Sequence, residues 1–136
     1  MTHIIRRESF NAAHRLYRKD WSDEKNLKIF GKCSNPNWHG HNYELFVTVK
    51  GSVDSDTGFV INLKDLSKII KRKVINKMDH KNLNLDVDFL TDKIPSAENI
   101  AIAIWQELEE DVKNIGGTLH CVRLLETENN IVEYYG

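Results

Sequence analysis

The chain has 136 residues, of which 40% are hydrophobic and 29% charged, a composition that fits one globular domain and excludes a disordered or collagen-like chain. Nineteen Lys and Arg stand against twenty Asp and Glu, a formal charge of -1, so the basic surplus of a nucleic-acid-binding protein is missing. No apolar run approaches the roughly 18 residues of a membrane helix. The opening MTHIIRRESF lacks the apolar stretch of a signal peptide, and two cysteines without an export signal read as reduced thiols. The expectation is a single domain over residues 1–136, cytoplasmic, with no nucleic-acid or membrane partner.

In chain order, THIIRRESFNAAHRL alternates as a strand does, with Phe10, Ala12, His14 and Leu16 on one face. RKDWSDEKNLKIFGKCSNPNW is polar and reads as a long loop, and long loops in compact domains are usually functional. HGHNYELFVTVKG is a second strand whose two-residue period puts His39, His41, Tyr43, Leu45, Val47 and Val49 on one face. After the turn DSDTG, the stretch NLKDLSKIIKRKVINKM spaces Leu63, Leu66, Ile69, Ile70, Val74 and Met78 for an amphipathic helix, its basic residues forming a solvated side. DHKNLNLDVDFLTDKIP reads as another loop. Ser96 is then the N-cap of a second helix, with Glu98 in its first turn where the helix dipole favours a carboxylate. That helix runs to about Asn114 and stops at Gly116 and Gly117. TLHCVRLLET and IVEYY, joined by ENN, form a hairpin. The order ββααββ predicts an α+β fold, a four-stranded antiparallel sheet with both helices on one face. Its free strand edges favour lateral association.

The chemistry gathers around GKCSNPNWHGHNYELFV. Two histidines one residue apart on a strand point the same way, with Cβ atoms about 6.5–7 Å apart, so both imidazoles can reach one ion at about 2.0–2.1 Å. His14, at the end of a predicted strand, can join His39 and His41 if its strand pairs alongside. Three imidazoles with an open position make a catalytic zinc site rather than a structural one. The competing reading is an H-x-H that arises by chance and a His14 that is an ordinary core histidine. Cys33 has three readings: a fourth ligand closing a structural site, a thiolate base or nucleophile beside the metal, or a small buried hydrophobe. Asp79-His80 is either an acid–base relay or a helix-terminal turn. Glu126 shares a strand face with Val122 and Leu124, where a carboxylate needs a partner: a basic neighbour or a ligand offering two adjacent N–H donors.

These segments resemble a known family. FNAAHRL, GKCSNPNWHGHNYELFVTVKG, TGFVINLKDL, MDHKNLNLDV, SAENIAIAIW and LLETENNIVEYY follow the order and spacing of the 6-pyruvoyltetrahydropterin synthases, over Phe10 to Tyr135. The resemblance implies the tunnelling fold, in which trimers of ββααββ subunits close a twelve-stranded antiparallel barrel and stack into hexamers. It implies zinc on His14, His39 and His41, a catalytic base at Cys33, and an Asp79–His80 pair contributed by a neighbouring subunit. It also implies a pterin anchor at Glu126, with Ser96 and Glu98 as further substrate-binding candidates. The implied reaction converts 7,8-dihydroneopterin triphosphate into 6-pyruvoyltetrahydropterin and triphosphate, without an external redox cofactor. Arg15, Lys32 and Lys81 are the candidates for holding the triphosphate.

Two positions depart from the family pattern. Trp38 replaces the first glycine of N-P-N-G-H-G-H, and Ser96-Ala97 replaces a threonine pair that helps hold the pterin. Within the family, the long loop before Cys33, N-P-N, INLKDL and ETENN resemble the pyruvoyl branch more than the 6-carboxytetrahydropterin synthases, which release acetaldehyde. Cys33 disfavours the branch that carries a glutamate there. A zinc- and pterin-binding protein without turnover is the alternative of another class.

Overall fold

A computed structural model describes all of residues 1–136. Two long strands, β1 (Thr2–His14) and β2 (His39–Gly51), pair antiparallel along their whole length, from Thr2 opposite Gly51 to His14 opposite His39. β2 pairs with β4 (Thr118–Leu125), which pairs with β5 (Ile131–Tyr134), both antiparallel. The sheet has a fifth member, β3 (Lys81–Asn82), which lies parallel to β1 at Ala12 and Ala13. The order is β3-β1-β2-β4-β5. The sheet is therefore five-stranded and mixed, not the four-stranded antiparallel sheet that the alternation predicts. Two residues carry no period, so β3 leaves no trace in a pattern search.

The loop expected before Cys33 also contains structure. α1 (Asp23–Phe30) starts at Ser22, whose hydroxyl accepts from Lys25 N–H, and has Asp23 and Glu24 in its first turn. Its one buried residue is Asn26, whose amide donates to the carbonyls of Arg18 and Ser22. A helix held by caps and an asparagine has no apolar stripe to reveal it.

The two expected helices form on one face of the sheet. α2 (Leu63–Ile70) continues through a π-helical segment (Lys71–Ile75) into α3 (Asn76–Met78). Leu66, Ile70, Val74 and Met78 are all fully buried. Their strict four-residue spacing drifts around an ideal 3.6-residue helix, and the wider π turn keeps the row aimed at the core. α4 (Ala97–Asn114) buries Ile100, Ala101, Ile104, Trp105, Leu108 and Val112. It ends as the glycines predict: Gly116 takes φ 90°, Gly116 N–H donates to Lys113 and Gly117 N–H to Val112, a Schellman closure.

Alternate residues of β1, β2 and β4 meet these helices in one core of 26 buried side chains, among them Phe10, Ala12, Tyr43, Leu45, Val47, Val122 and Leu124. The opposite face carries no helix. A bulge between Thr48 and Val49 makes His120 an extra residue in β4 and places His120 and Cys121 together on that face, where they line a pocket with His3, Phe46 and Tyr135.

Candidate metal centre and its surroundings

The register of β1 on β2 builds the centre. His14 closes β1 opposite His39, and His41 lies opposite Ala12, so all three imidazoles leave the sheet on the side of the helices. Ring centroids are 4.5 Å (His14–His39), 5.0 Å (His14–His41) and 4.9 Å (His39–His41) apart. One ring nitrogen from each residue lies within 4.8 Å of the others.

Of the hydrogen bonds around the rings, only the Tyr43 hydroxyl, 3.5 Å from His14 Nε2, reaches a candidate ligand nitrogen. His14 Nδ1 is 2.8 Å from the Pro95 carbonyl. A carbonyl only accepts, so Nδ1 carries the proton and Nε2 keeps its lone pair, the arrangement that orients a metal-ligating imidazole. His39 Nδ1 and His41 Nε2 are enclosed without any partner. Buried nitrogens left unpaired beside one another are costly, and a shared cation is the partner this donor set suits. The residues fit a metal.

Burial also sets their charge. His14 is 1% exposed; desolvation holds its pKa down at about 4, against the pull of the Pro95 carbonyl and helped by His39 and His41. Burial and then His41 lower His39 as well, opposed by Glu126. Both rings are neutral at pH 7, which is the ligand form.

Glu126 follows the last residue of β4 on the face of Val122 and Leu124, and its backbone N–H donates to Asn130 across the ENN turn. Its carboxylate oxygens lie 3.9 Å from His14 Nε2 and 4.0 Å from His41 Nε2. That is beyond hydrogen-bond range, so the carboxylate borders the cluster with acceptor capacity to spare. Cys33 sits in a 3₁₀ turn (Gly31–Ser34), part-exposed, its carbonyl accepting from Leu16 N–H at 2.8 Å. The turn therefore docks two residues beyond His14. The thiol is not among the three-histidine group whose ligand atoms lie within 4.8 Å of one another. Cys33 and Cys121 are both free thiols.

Asp79 and His80 form a pair at the sheet edge. Asp79 Oδ1 accepts from Asn11 N–H at 2.9 Å, Oδ2 is 2.9 Å from His80 Nδ1, and His80 N–H donates to Asn11 O. The Asn11 N–H, more than His80, keeps the Asp79 carboxyl below the usual range. His80 has φ 60° and its side chain is 81% exposed. No hydrogen bond joins this pair to Cys33 within the chain. Ser96 caps α4 by accepting from Asn99 N–H at 3.3 Å and follows the proline that orients His14. Glu98 is exposed in the first turn of α4 and forms no hydrogen bond or ion pair; the structure does not bring it to the histidines.

The Pro95 carbonyl escaped the sequence reading, because a backbone acceptor leaves no residue-type signal. Asn84 did too: its amide exchanges hydrogen bonds with the backbone N–H and C=O of Arg15 and fixes the exit of β1.

The family model for 6-pyruvoyl tetrahydropterin synthase matches residues 3–136. The chain belongs to that family. It is 50% identical over 133 residues to the 6-pyruvoyl tetrahydrobiopterin synthase of Homo sapiens, covering 98% of this chain and 90% of that one. It is 35% identical over 125 residues to a putative 6-carboxy-5,6,7,8-tetrahydropterin synthase of Archaeoglobus fulgidus, covering 92% and 88%. The solved structure of Caenorhabditis elegans 6-pyruvoyl tetrahydropterin synthase superposes with a TM-score of 0.92 at 39% identity, covering 99% of this chain and 95% of that one.

Proposed function

We propose that this chain converts 7,8-dihydroneopterin triphosphate into 6-pyruvoyltetrahydropterin and triphosphate in tetrahydrobiopterin-type biosynthesis. It would act as one cytoplasmic domain with Zn2+ on His14, His39 and His41. The observation that carries this is the convergence of three imidazoles beside Glu126 and the Cys33 turn, in a chain half identical to a relative named for that synthesis. The 6-carboxy product is the second reading, and its named relative is the more distant of the two. A zinc- and pterin-binding protein without turnover needs Glu126 but no base, and Cys33, Asp79 and His80 argue against it.

In this reading zinc supplies a Lewis acid for the substrate's side-chain hydroxyl oxygens. Glu126 accepts two ring N–H bonds and sets the orientation of the pterin. Cys33, as thiolate, removes the proton from the side-chain carbon. The Asp79–His80 pair, exposed at the sheet edge, serves the site of a neighbouring copy and returns a proton to the ring. Tautomerisation then reduces the ring as it oxidises the side chain, and triphosphate leaves by elimination. Ser96 offers a hydroxyl at the pocket, and Glu98 is its outermost candidate. Edge-to-edge pairing of three subunits, each contributing β1, β2, β4 and β5 with the two-residue β3 left outside, would close the twelve-stranded tunnelling-fold barrel, and two such trimers would form the hexamer.

The test is a mass-spectrometric product assay on zinc-loaded protein with 7,8-dihydroneopterin triphosphate. A 6-pyruvoyl product is expected; a 6-carboxy product with acetaldehyde, or no turnover with zinc bound, overturns the reading. Cys33→Ala is expected to lower turnover by roughly 10²–10⁴-fold, the range for a lost general base, with zinc content unchanged.

A further inference from the structure

Trp38 has φ 67°, a left-handed backbone that glycine adopts freely and a tryptophan rarely does. It closes the Asn35–Pro36–Asn37 turn with its N–H on the Asn35 carbonyl at 3.1 Å, a role glycine would fill equally well. The indole must therefore be held for something other than the turn. It lies 5.6 Å from the Arg15 guanidinium carbon, which also rests 3.9 Å from the centre of the Tyr17 ring, both within cation–π range.

Arg15 differs from the other five arginines. Arg6, Arg7, Arg18, Arg72 and Arg123 each pair with a carboxylate, and Arg15 pairs with none. Its Nη2 donates to the Ser34 carbonyl at 3.0 Å, beside Cys33, and its Nε is enclosed without a partner. Its backbone is tied both ways to Asn84. A guanidinium anchored in place, next to a metal-ligand candidate and without a carboxylate partner, is preorganised to meet two oxygens of a tetrahedral oxyanion such as phosphate with its planar fork.

We propose that Trp38 and Tyr17 form an aromatic cradle that holds Arg15 at the rim of the histidine cluster to bind the substrate's phosphate chain. Arg15 is the binding residue, Trp38 and Tyr17 are positioning residues, and the choice of a phosphate chain rests on the pterin triphosphate reading. The cradle links the three segments that carry His14, Cys33 and His39.

The probe is inorganic tripolyphosphate in excess magnesium, titrated calorimetrically into metal-loaded protein whose zinc content is measured before and after. Trp38→Gly removes the ring and supplies the residue the backbone prefers, so its melting temperature should not fall below that of the parent. Its tripolyphosphate affinity should fall about 5-fold, and Trp38→Tyr should restore it to within about 2-fold. Arg15→Lys, which keeps the charge but loses the fork, should weaken binding about 10-fold. Affinity unchanged within about 2-fold in Trp38→Gly, or in Arg15→Lys, overturns the cradle, as does a parent protein that does not bind the probe. A parent that makes the pterin product while Trp38→Gly binds normally refutes the cradle alone. Trp38-dependent binding in a protein without turnover supports the cradle and counts against the pterin reading.

Discussion

With 1% of its surface exposed, the His14 ring has no water to solvate a charge, and the linkage between its protonation and folding follows from that. Its folded pKa of about 4 lies below the ordinary 6.5. As pH falls, the unfolded chain takes up the proton first. The contribution is therefore complete above pH 6.5 and is lost progressively as pH falls towards 4, on the order of 3 kcal/mol in all. In metal-free protein, the urea midpoint should drop between pH 7 and pH 4.5, and His14→Gln should flatten that dependence. Three residues stand at positive φ without being glycine: Trp38, His80 and Asp92. Such positions cost on the order of 1 kcal/mol each. Two of them border proposed functional residues: Trp38 adjoins His39, and His80 belongs to the Asp79 pair.

At the scale of elements, α4 positions the site through its N-terminus. Pro95 orients His14 one residue before the Ser96 cap, so the helix start and the metal centre share a short segment. Ser96→Ala removes the acceptor for Asn99 N–H and should cost about 1 kcal/mol, a melting temperature lower by about 3–5 °C in a chain of this size. Ser22→Ala should leave zinc content and product unchanged while loosening α1, since its buried Asn26 ties that helix to Arg18 rather than to the histidines. Differential scanning calorimetry with zinc analysis separates the two outcomes.

For the whole molecule, the sheet ends matter most. β5 is one edge, with Ile131 and Tyr135 exposed in and beside it, and β3 at the other edge is only two residues long. Ile5 and Phe46 sit on the helix-free face, Ile5 largely exposed. Open edges with apolar neighbours favour pairing with another chain. Sedimentation velocity should give a species three or six times the 15.8 kDa chain. A monomer at micromolar concentration would leave the Asp79–His80 pair without a site to serve, and such a preparation should turn over no substrate.

Alternation and helical spacing determined by themselves β1, β2, β4, β5 and the two core helices, because each has a buried face that must repeat at the period of its backbone. His39 and His41 were legible as a pair for the same reason, and Ser96 as a cap from its place before an apolar run. The six matched segments made the family legible as well. β3 and α1 were not legible, since a two-residue bridge has no period and α1 is fixed by Ser22 and Asn26 rather than by an apolar stripe. Only the tertiary structure decided that His14 stands across from His39, that Pro95 holds its tautomer, that Glu126 reaches the same cluster, and that Cys33 and Glu98 lie outside it. These facts depend on strand register and on backbone carbonyls, and the His14–Pro95 contact alone joins residues 81 positions apart. Local sequence encodes which face a side chain takes; what stands opposite it is settled when the strands pair.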